Sequence, residues 1–172
     1  MELVDVLSVT EALDRAGVRH WVAGGWGVDA LVGRQTRPHR DLDLAVDAGQ
    51  LPAVLALLRG QGYATETDWL PVRVELAAPG ERWVDVHPVV FDADGHGRQA
   101  GLDGATFDYP ATDLVVGSVD GHPLPCLSAG RQRAFHTGYP PRPQDRHDLA
   151  LLAGLAAPSA IVRTAPPTRG DG

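Results

Sequence analysis

The alternation of apolar and polar residues along the chain predicts short helices interleaved with strands. In the first third of the chain, helical patterns that stop at a glycine cover residues 8–17, 26–32 and 51–59. Alternating apolar and polar residues predict strands over residues 20–23, 41–46, 63–67, 72–76 and 84–91. Residues 106–126 predict a strand pair that turns at Asp120 and Gly121, and helical patterns return over 128–137 and 145–156.

Helix caps and glycine-rich segments set the predicted boundaries. Ser8 and Glu11 have the spacing of a capping box, which places the start of the first helix at Ser8. Residues 92–104 are rich in glycine and aspartate and predict a loop. The uneven order of helices and strands predicts an α/β or α+β fold with a mixed sheet. We expect one domain over residues 1–156 and a flexible C-terminal tail over 157–172.

The amino-acid composition limits the kinds of molecule that the protein can be expected to bind. The 172 residues are 44% apolar and 22% charged, which is typical of a globular domain. All fifteen cationic residues are arginines, and the net charge of −7 argues against bulk nucleic acid as the main partner. The chain has no signal-peptide pattern and no stretch approaching the roughly 18 apolar residues of a membrane span. We therefore expect a cytoplasmic protein with no membrane partner, in which the single Cys126 forms no intrachain disulfide.

The sharpest chemical feature is the pair Asp41 and Asp43. Residues two apart in a strand point to the same face, roughly 6–7 Å apart along the chain. Two carboxylates held in this way suit Mg²⁺, which prefers oxygen ligands. Such pairs are also common at solvated strand edges, so the pair alone does not establish a metal site.

A third carboxylate, Asp85, lies in an otherwise apolar strand, which is a costly place for an idle charge. If residues 73–76 and 83–86 form a hairpin through the three-residue loop 79–81, then Glu75 faces Asp85. The hairpin would then carry an acidic and basic patch on rigid strands. The alternative is a ladder of ion pairs on a solvent-facing surface.

Gly24 and Gly25 follow a predicted strand and precede a predicted helix. Glycine permits close backbone approach there, and the N–H groups at a helix start favour an anion such as phosphate. Arg37 and Arg40 stand directly before the aspartate pair, and arginine suits triphosphate recognition. An ordinary tight turn and loop charges paired with acidic neighbours are the alternatives.

Three further residues are candidates for contact with an acceptor molecule. His87 shares the face of Asp85 and titrates near neutral pH, so it is a candidate general base or acceptor contact. Glu75 could bind a sugar or an amine, and Trp69 could stack on a ring. The alternatives are a hydrogen-bonded strand histidine, a salt bridge to an arginine and packing at a strand end. Taken together with the glycine turn and the three aspartates, the pattern predicts metal-dependent phosphoryl or nucleotidyl transfer.

These residues resemble a known family, the small antibiotic nucleotidyltransferases. The resemblance is strongest to the short lincosamide nucleotidyltransferases, with the aminoglycoside 2''-adenylyltransferases as relatives. It covers about residues 20–150 and rests on these segments: GGWGVDALVGRQTRPHRDLDLAV (24–46), GYATETDWLPVRVEL (62–76), WVDVHPV (83–89), LPCLS (124–128) and FHTGYP (135–140).

The resemblance implies the polymerase-β-type nucleotidyltransferase fold, a mixed sheet flanked by helices. It implies that Asp41 and Asp43 bind Mg²⁺, with Asp85 as metal ligand, as general base for the acceptor hydroxyl, or both. The residues it places at the nucleotide phosphates are Gly24, Gly25, Arg37 and Arg40.

The expected function is Mg²⁺-dependent transfer of a nucleoside monophosphate from a nucleoside triphosphate, with ATP the expected donor. The expected acceptor is a hydroxyl group of a lincosamide or aminoglycoside antibiotic, and the modification causes resistance. Two Mg²⁺ ions are expected at Asp41, Asp43 and Asp85, and the hydroxyl proton passes to Asp85 or to His87.

Other functions fit the same residues. A non-catalytic protein of this fold could bind a small molecule, and the same chemistry could act on a biosynthetic or protein acceptor. Little of the chain remains for a separate acceptor domain. We therefore expect the acceptor site to come from residues 124–156 or from the second subunit of a homodimer.

Overall fold

The computed structural model of the protein describes residues 1–137 and 139–155. The helices in these residues are α1 (Leu3–Arg15), α2 (Gly24–Val32), α3 (Leu51–Gly60), α4 (Ala129–Phe135) and α5 (Pro143–Gly154). The strands are β1 (His20–Ala23), β2 (Asp41–Asp47), β3 (Ala64–Trp69), β4 (Arg73–Ala78), β5 (Arg82–Phe91), β6 (Gly97–Ala100), β7 (Thr106–Tyr109), β8 (Leu114–Val119) and β9 (His122–Leu127). The predicted boundary between domain and tail, at residues 156 and 157, lies outside the described residues.

The described strands join one mixed sheet whose main path runs β3-β4-β5-β2-β1-β9-β8. β2 runs parallel to β5 and antiparallel to β1, and β1 runs parallel to β9. β6 extends the sheet from the far end of β5, and β7 pairs with β6. The hairpin β4–β5 has the predicted register, with Glu75 opposite Asp85. A mixed sheet flanked by helices confirms the predicted fold class.

The two faces of β2 differ in chemistry because alternate residues point to opposite sides of the sheet. Leu42, Leu44 and Val46 are fully buried in the main core, which also contains residues of α1, α2 and α3. Ala45 belongs to a smaller apolar cluster on the opposite face, the face that also carries Asp43. The strand is therefore anchored by one face and presents carboxylates on the other.

Helix α2 packs directly against the backbone of the sheet because glycines remove side chains from the contact. A Cβ atom on Gly27 would lie 2.7 Å from the carbonyl oxygen of Val22 in β1. A Cβ atom on Gly117 of β8 would lie 2.3 Å from the carbonyl oxygen of Ala30 in α2. Both separations are too short for a real side chain, so these glycines set the depth at which α2 sits.

The first two helices begin earlier than the sequence predicts. α1 begins at Leu3, where the side chain of Asp5 accepts the Glu2 N–H at 2.9 Å, and Ser8 lies inside the helix. Val6 is fully buried, so packing against the core extends the helix past the predicted cap. α2 begins at Gly24 rather than at residue 26.

The prediction of a loop over residues 92–104 is wrong, because β6 lies within this segment. Asp92 Oδ1 closes the turn before β6 by accepting the N–H groups of Asp94 and His96, each at 3.0 Å. The inward positions of β6 are Gly97 and Gln99, both buried. Neither residue is a large hydrophobe, so the strand carries no alternating hydrophobic signal.

The C-terminal half differs from the prediction in its strand pairing. Residues 106–109 form β7, which pairs with β6, whereas β8 and β9 form the pair that turns at Asp120 and Gly121. The last helix begins at Pro143, two residues before the predicted start. Among the described residues, no helix is both long enough and apolar enough to cross a membrane.

Replacing Gly27 tests how tightly α2 is seated. We expect Gly27→Ala to lower the free energy of unfolding by about 1–3 kcal/mol, because the added methyl group overpacks the contact with β1. The measurement is the urea midpoint of unfolding. Gly60→Ala is the matched control, since a Cβ atom on Gly60 meets nothing within 4 Å, and it should leave stability unchanged or slightly higher. Equal stability of the two variants would contradict the close packing of α2.

Candidate active site

The carboxylates of β2 and β5 meet because the two strands are adjacent and parallel. Asp43 is paired with Asp85 in the strand register. Ligand atoms of Asp43, Asp85 and His87 all lie within 4.8 Å of one another. Asp41 lies outside this group, and its Oδ2 atom is 3.6 Å from Arg40 Nη1. The residues that the structure gathers most tightly are therefore two of the three predicted aspartates and the predicted histidine.

The two oxygens of Asp85 have different surroundings. Arg73 Nη1 donates a hydrogen bond to Oδ2 and also lies 3.9 Å from Glu75 Oε2. Asp85 Oδ1 is buried and has no hydrogen-bond partner among the described residues. Because an unpartnered buried carboxylate oxygen is costly, this atom favours the binding of a cation or a proton donor.

The surroundings also make two of the aspartates weaker acids. Burial raises the pKa of Asp85, and the charge of Asp43 adds to this effect against the opposing charge of His87. Burial likewise raises the pKa of Asp41, with the charge of Asp43 as the second cause. A carboxylate with a raised pKa takes up a hydroxyl proton more readily than an ordinary one.

His87 lies against both carboxylates. Its Nε2 atom is 3.6 Å from Asp43 Oδ1 and 3.7 Å from Asp85 Oδ2. Burial lowers the pKa of His87, but hydrogen bonding to Asp43 and the charges of both aspartates raise it by more. The other ring nitrogen, Nδ1, is 3.1 Å from Gln99 Nε2, and Tyr109 donates to Gln99 Oε1 at 2.5 Å.

The start of α2 fits against the carboxylate face only because it begins with two glycines. Gly24 has a φ of +57°, a left-handed conformation that glycine adopts readily. A Cβ atom on Gly24 would lie 2.0 Å from Asp43 Oδ2. A Cβ atom on Gly25 would lie 2.3 Å from His39 Nδ1 and 2.6 Å from Arg37 Nη2. The glycine pair therefore allows direct contact between the helix start and the residues that surround it.

Buried contacts between α2 and residues 36–40 fix the segment that contains Arg37 and Arg40. Asp29 Oδ2 lies 2.5 Å from His39 Nε2, and Asp29 Oδ1 accepts the Thr36 hydroxyl at 2.6 Å. The imidazole ring of His39 packs on Trp26 with 4.6 Å between ring centroids. These contacts hold residues 36–40 against the helix.

Arg37 joins this segment to the last helix. Its Nε and Nη2 atoms donate to the two carboxylate oxygens of Asp148 at 2.9 and 2.6 Å. The buried carboxylate of Asp148 thereby connects α5 to the segment before β2. The N-cap residue of α5 is Arg142, whose N–H donates to Asp145 Oδ2 at 2.7 Å, so Asp145 closes the first turn of the helix.

Two cavities meet at Gly24 and Asp43. The larger is a polar cleft of about 770 Å³ that also borders on Arg142 and Asp145. The smaller, of about 300 Å³, is lined largely by apolar and aromatic side chains: Ala23, Phe107, Tyr109 and Phe135, with Gln99, Gln132, His87 and His136. The carboxylate group therefore lies where a charged ligand and a partly apolar ligand could meet.

Most of the predicted site residues border the polar cleft: Gly24, Gly25, Arg37, Arg40, Asp41, Asp43, Glu75 and Asp85. His87 borders the smaller cavity instead. Trp69 lines neither cavity; it is half-exposed at the end of β3 and stacks on the Arg73 guanidinium at 4.6 Å. Nine of the ten predicted site residues thus line one of the two cavities. Trp69 does not, but it contacts Arg73, which lines the polar cleft.

Sequence reasoning did not assign a site role to Arg73, Gln99 or Tyr109. Arg73 had a readable signal, because the predicted hairpin register places it on the face of Asp85. Gln99 and Tyr109 had none, because both lie in or beyond the segment predicted as a loop.

Comparison with known proteins shows the family of the chain. The family model described as aminoglycoside-2''-adenylyltransferase matches residues 5–152. The chain is 31% identical over 151 residues to a lincosamide resistance protein from Staphylococcus haemolyticus, covering 88% of this chain and 94% of that protein.

Solved structures agree as well. The crystal structure of the lincosamide antibiotic adenylyltransferase LnuA, bound to lincomycin, is 30% identical with a TM-score of 0.83, covering 91% of this chain and 99% of that one. The structure of ANT(2'')-Ia in complex with adenylyl-2''-tobramycin is 20% identical with a TM-score of 0.66, covering 87% and 86%, and shows the shared fold. With a nucleotidyltransferase fold, a carboxylate group at the junction of two cavities and a family match over nearly all the described residues, the chain belongs to the aminoglycoside-2''-adenylyltransferase family of antibiotic nucleotidyltransferases.

Proposed function

We propose that this protein transfers AMP from ATP to a hydroxyl group of a lincosamide antibiotic, with Mg²⁺ as the cofactor, and so confers resistance. The observation that carries the proposal is the position of Asp43 and Asp85 between a polar cleft and an apolar cavity. ATP is the donor that adenylyl transfer requires. The polar cleft suits its triphosphate, and the apolar cavity suits part of the acceptor.

Similarity favours a lincosamide over an aminoglycoside as the acceptor. The lincosamide resistance protein and LnuA are both 30% identical or more and match this chain along nearly their whole lengths. The aminoglycoside enzyme ANT(2'')-Ia is only 20% identical in the structural comparison. An aminoglycoside is therefore the second candidate, and the net charge of −7 suits a cationic acceptor of either class.

The residues present fit a magnesium site. Asp43 and Asp85 supply the hard oxygen ligands that Mg²⁺ prefers, and the buried, unpartnered Asp85 Oδ1 gains a partner when a cation binds. Asp41, on the same face of β2, would complete the carboxylate set, and we expect two ions. When bound, Mg²⁺ neutralises the triphosphate charge and lowers the pKa of the acceptor hydroxyl.

The chain's own groups bind and orient the nucleotide. The N–H groups at the start of α2 favour phosphate, and Gly24 and Gly25 let the phosphates approach the backbone. Arg40 borders the cleft between Asp41 and Glu75, and its side chain is exposed enough to contact phosphate oxygens. Arg37 adds positive charge while Asp148 holds it in place.

Asp85 is the proposed general base for the acceptor hydroxyl, with His87 as the alternative. Its Oδ1 atom has no partner among the described residues, so it is available either to bind the cation or to take the proton as the hydroxyl oxygen attacks the α-phosphate and pyrophosphate leaves. Glu75 borders the cleft beside Arg73 and is proposed to contact the acceptor. Trp69 would reach the acceptor only through movement of Arg73, on which it stacks.

Loss of a metal ligand tests the proposed chemistry. We expect Asp43→Asn to lower kcat by a factor of roughly 10³, because the metal contribution of several kcal/mol to the transition state is lost. The measurement is pyrophosphate release with ATP, Mg²⁺ and lincomycin. Asp47→Asn on the same strand is the control; it loses the ion pair with Arg19, keeps Oδ1 as the acceptor of the Gly49 N–H and should retain nearly full activity. More than a tenth of the wild-type rate in Asp43→Asn would refute the metal assignment.

The donor and acceptor can be identified in one experiment. Wild-type protein is incubated with Mg²⁺, each of the four nucleoside triphosphates and a panel of lincosamides and aminoglycosides. We expect mass spectrometry to find an AMP adduct on a lincosamide with ATP, and no adduct with Asp43→Asn. An adduct on aminoglycosides alone would overturn the acceptor assignment, and no adduct with any drug would favour a biosynthetic or protein acceptor, or a binding protein.

A homodimer remains part of the proposal because the smaller cavity opens at exposed apolar residues. Phe107 lines that cavity and is 42% exposed. Leu102 is 61% exposed and follows Gly101, on which a Cβ atom would lie 2.9 Å from the Phe107 ring. A second subunit would cover these side chains. We expect light scattering to give twice the chain mass of 18.3 kDa, and a monomer at working concentration would exclude the shared acceptor site.

A further inference from the structure

A buried chain of hydrogen bonds runs from β7 through β6 to the imidazole ring of His87. Tyr109 Oη donates to Gln99 Oε1 at 2.5 Å, and Gln99 Nε2 lies 3.1 Å from His87 Nδ1. Tyr109 is 2% exposed and Gln99 is 6% exposed, so bulk water offers neither group a ready alternative partner. Both residues line the smaller cavity, but the proposed transfer reaction assigns neither of them a chemical step.

The direction of this chain is set by the amide group of Gln99. Gln99 Nε2 also donates to the carbonyl oxygen of Val72 at 3.3 Å. A carbonyl oxygen only accepts hydrogen bonds, so the NH₂ group must face Val72 and His87. The hydroxyl of Tyr109 then donates to Oε1 on the other side. Reversing the amide would place its oxygen against the oxygen of Val72, so one orientation satisfies all three contacts.

This orientation decides which nitrogen of neutral His87 carries the proton. Neutral imidazole has one N–H group and one acceptor nitrogen. If Nδ1 accepts from Gln99, the proton resides on Nε2, the atom that lies 3.6 Å from Asp43 Oδ1 and 3.7 Å from Asp85 Oδ2. A protonated Nε2 has no lone pair with which to take a substrate proton or bind a cation.

We infer that Gln99 is a positioning residue that holds neutral His87 in the Nε2–H tautomer. Tyr109 keeps the Gln99 amide in the required orientation. The Nε2–H group of His87 then lies beside Asp43 and Asp85, at distances slightly longer than a hydrogen bond, and stabilises both carboxylates electrostatically. The role of general base consequently falls to Asp85 and not to His87. The effect on turnover rests on the proposed function, whereas the tautomer itself does not.

The tautomer can be observed directly by nitrogen NMR. Protein labelled with ¹⁵N at histidine is studied at alkaline pH, where the ring is neutral, and His87 is assigned by the loss of its signals in His87→Gln. We expect long-range proton–nitrogen correlations to show a protonated Nε2 and an unprotonated Nδ1. An Nδ1–H tautomer in the wild-type protein would overturn the inference.

Gln99→Glu reverses the chemistry of the contact with little change in shape. A carboxylate at this position can only accept, so the proton should move to Nδ1 of His87. We expect kcat for adenylyl transfer to fall about 10- to 100-fold, as is typical when a group that orients a site residue is lost, with KM for ATP unchanged. Gln61→Glu is the matched control, because Gln61 bonds only the Ser8 carbonyl oxygen far from the site. A reversed tautomer with unchanged kcat would refute the positioning role.

Two further comparisons cover the case in which Gln99→Glu fails to fold. Tyr109→Phe keeps the ring but removes the hydroxyl donor, and we expect a mixture of the two tautomers with a smaller loss of kcat. His87→Gln keeps an NH₂ donor and should be clearly more active than His87→Ala; equal inactivity of the two variants would indicate that His87 is the base. If wild-type protein transfers no nucleotide to any acceptor, the proposed function fails, while the NMR result still decides the tautomer.

Discussion

The contact between the start of α2 and the carboxylate face of β2 governs the arrangement of the whole site. Gly24 lies so close to Asp43 that a single Cβ atom would fall 2.0 Å from Oδ2. Gly27 and Gly117 set the same helix directly on the backbone of the sheet. The helix start, with its free N–H groups, is thereby held beside the carboxylates that would bind the metal. The close packing of α2 on the sheet and the position of the helix start beside the carboxylates depend on the same glycines, which allow the contact because they have no side chain.

Pairing of buried carboxylates with arginines is the second feature on which the site depends. Three buried carboxylates each have an arginine partner: Arg73 for Asp85, Arg37 for Asp148 and Arg142 for Asp145. Arginine suits these pairs because its planar group can bind a carboxylate through two nitrogens and keeps its charge. A divalent cation at Asp85 would compete with Arg73 for the same carboxylate. Metal binding at Asp85 would therefore include the cost of weakening an internal ion pair.

Much of the fold and site could be predicted from local sequence patterns. The run from Asp41 to Val46 marks both the strand and its two faces, and the three-residue loop after β4 fixes the pairing of Glu75 with Asp85. The likeness to antibiotic nucleotidyltransferases supplied the family, which the comparisons confirm. These features are local in the chain or repeat a known motif, so a single sequence can reveal them.

The parts that escaped prediction depend on contacts between distant residues. Gln99 belongs to a strand whose inward positions are glycine and glutamine, so no hydrophobic alternation marks it. Asp148 lies within a predicted helix, and only the folded chain shows that its partner is Arg37. Trp69 was placed at the acceptor by residue type, whereas its position at the end of β3 gives it Arg73 as a neighbour.

The pair formed by Arg37 and Asp148 has a consequence for the order in which the site is assembled. The two residues are 111 positions apart, and Asp148 belongs to the last described helix. During synthesis at about 5–20 residues per second, β2 and β5 leave the ribosome several seconds before α5. The strands that carry Asp43 and Asp85 can pair in that interval, while Arg37 still lacks its partner. The side of the cleft that carries Arg37 therefore acquires its contact with Asp148 only when α5 docks.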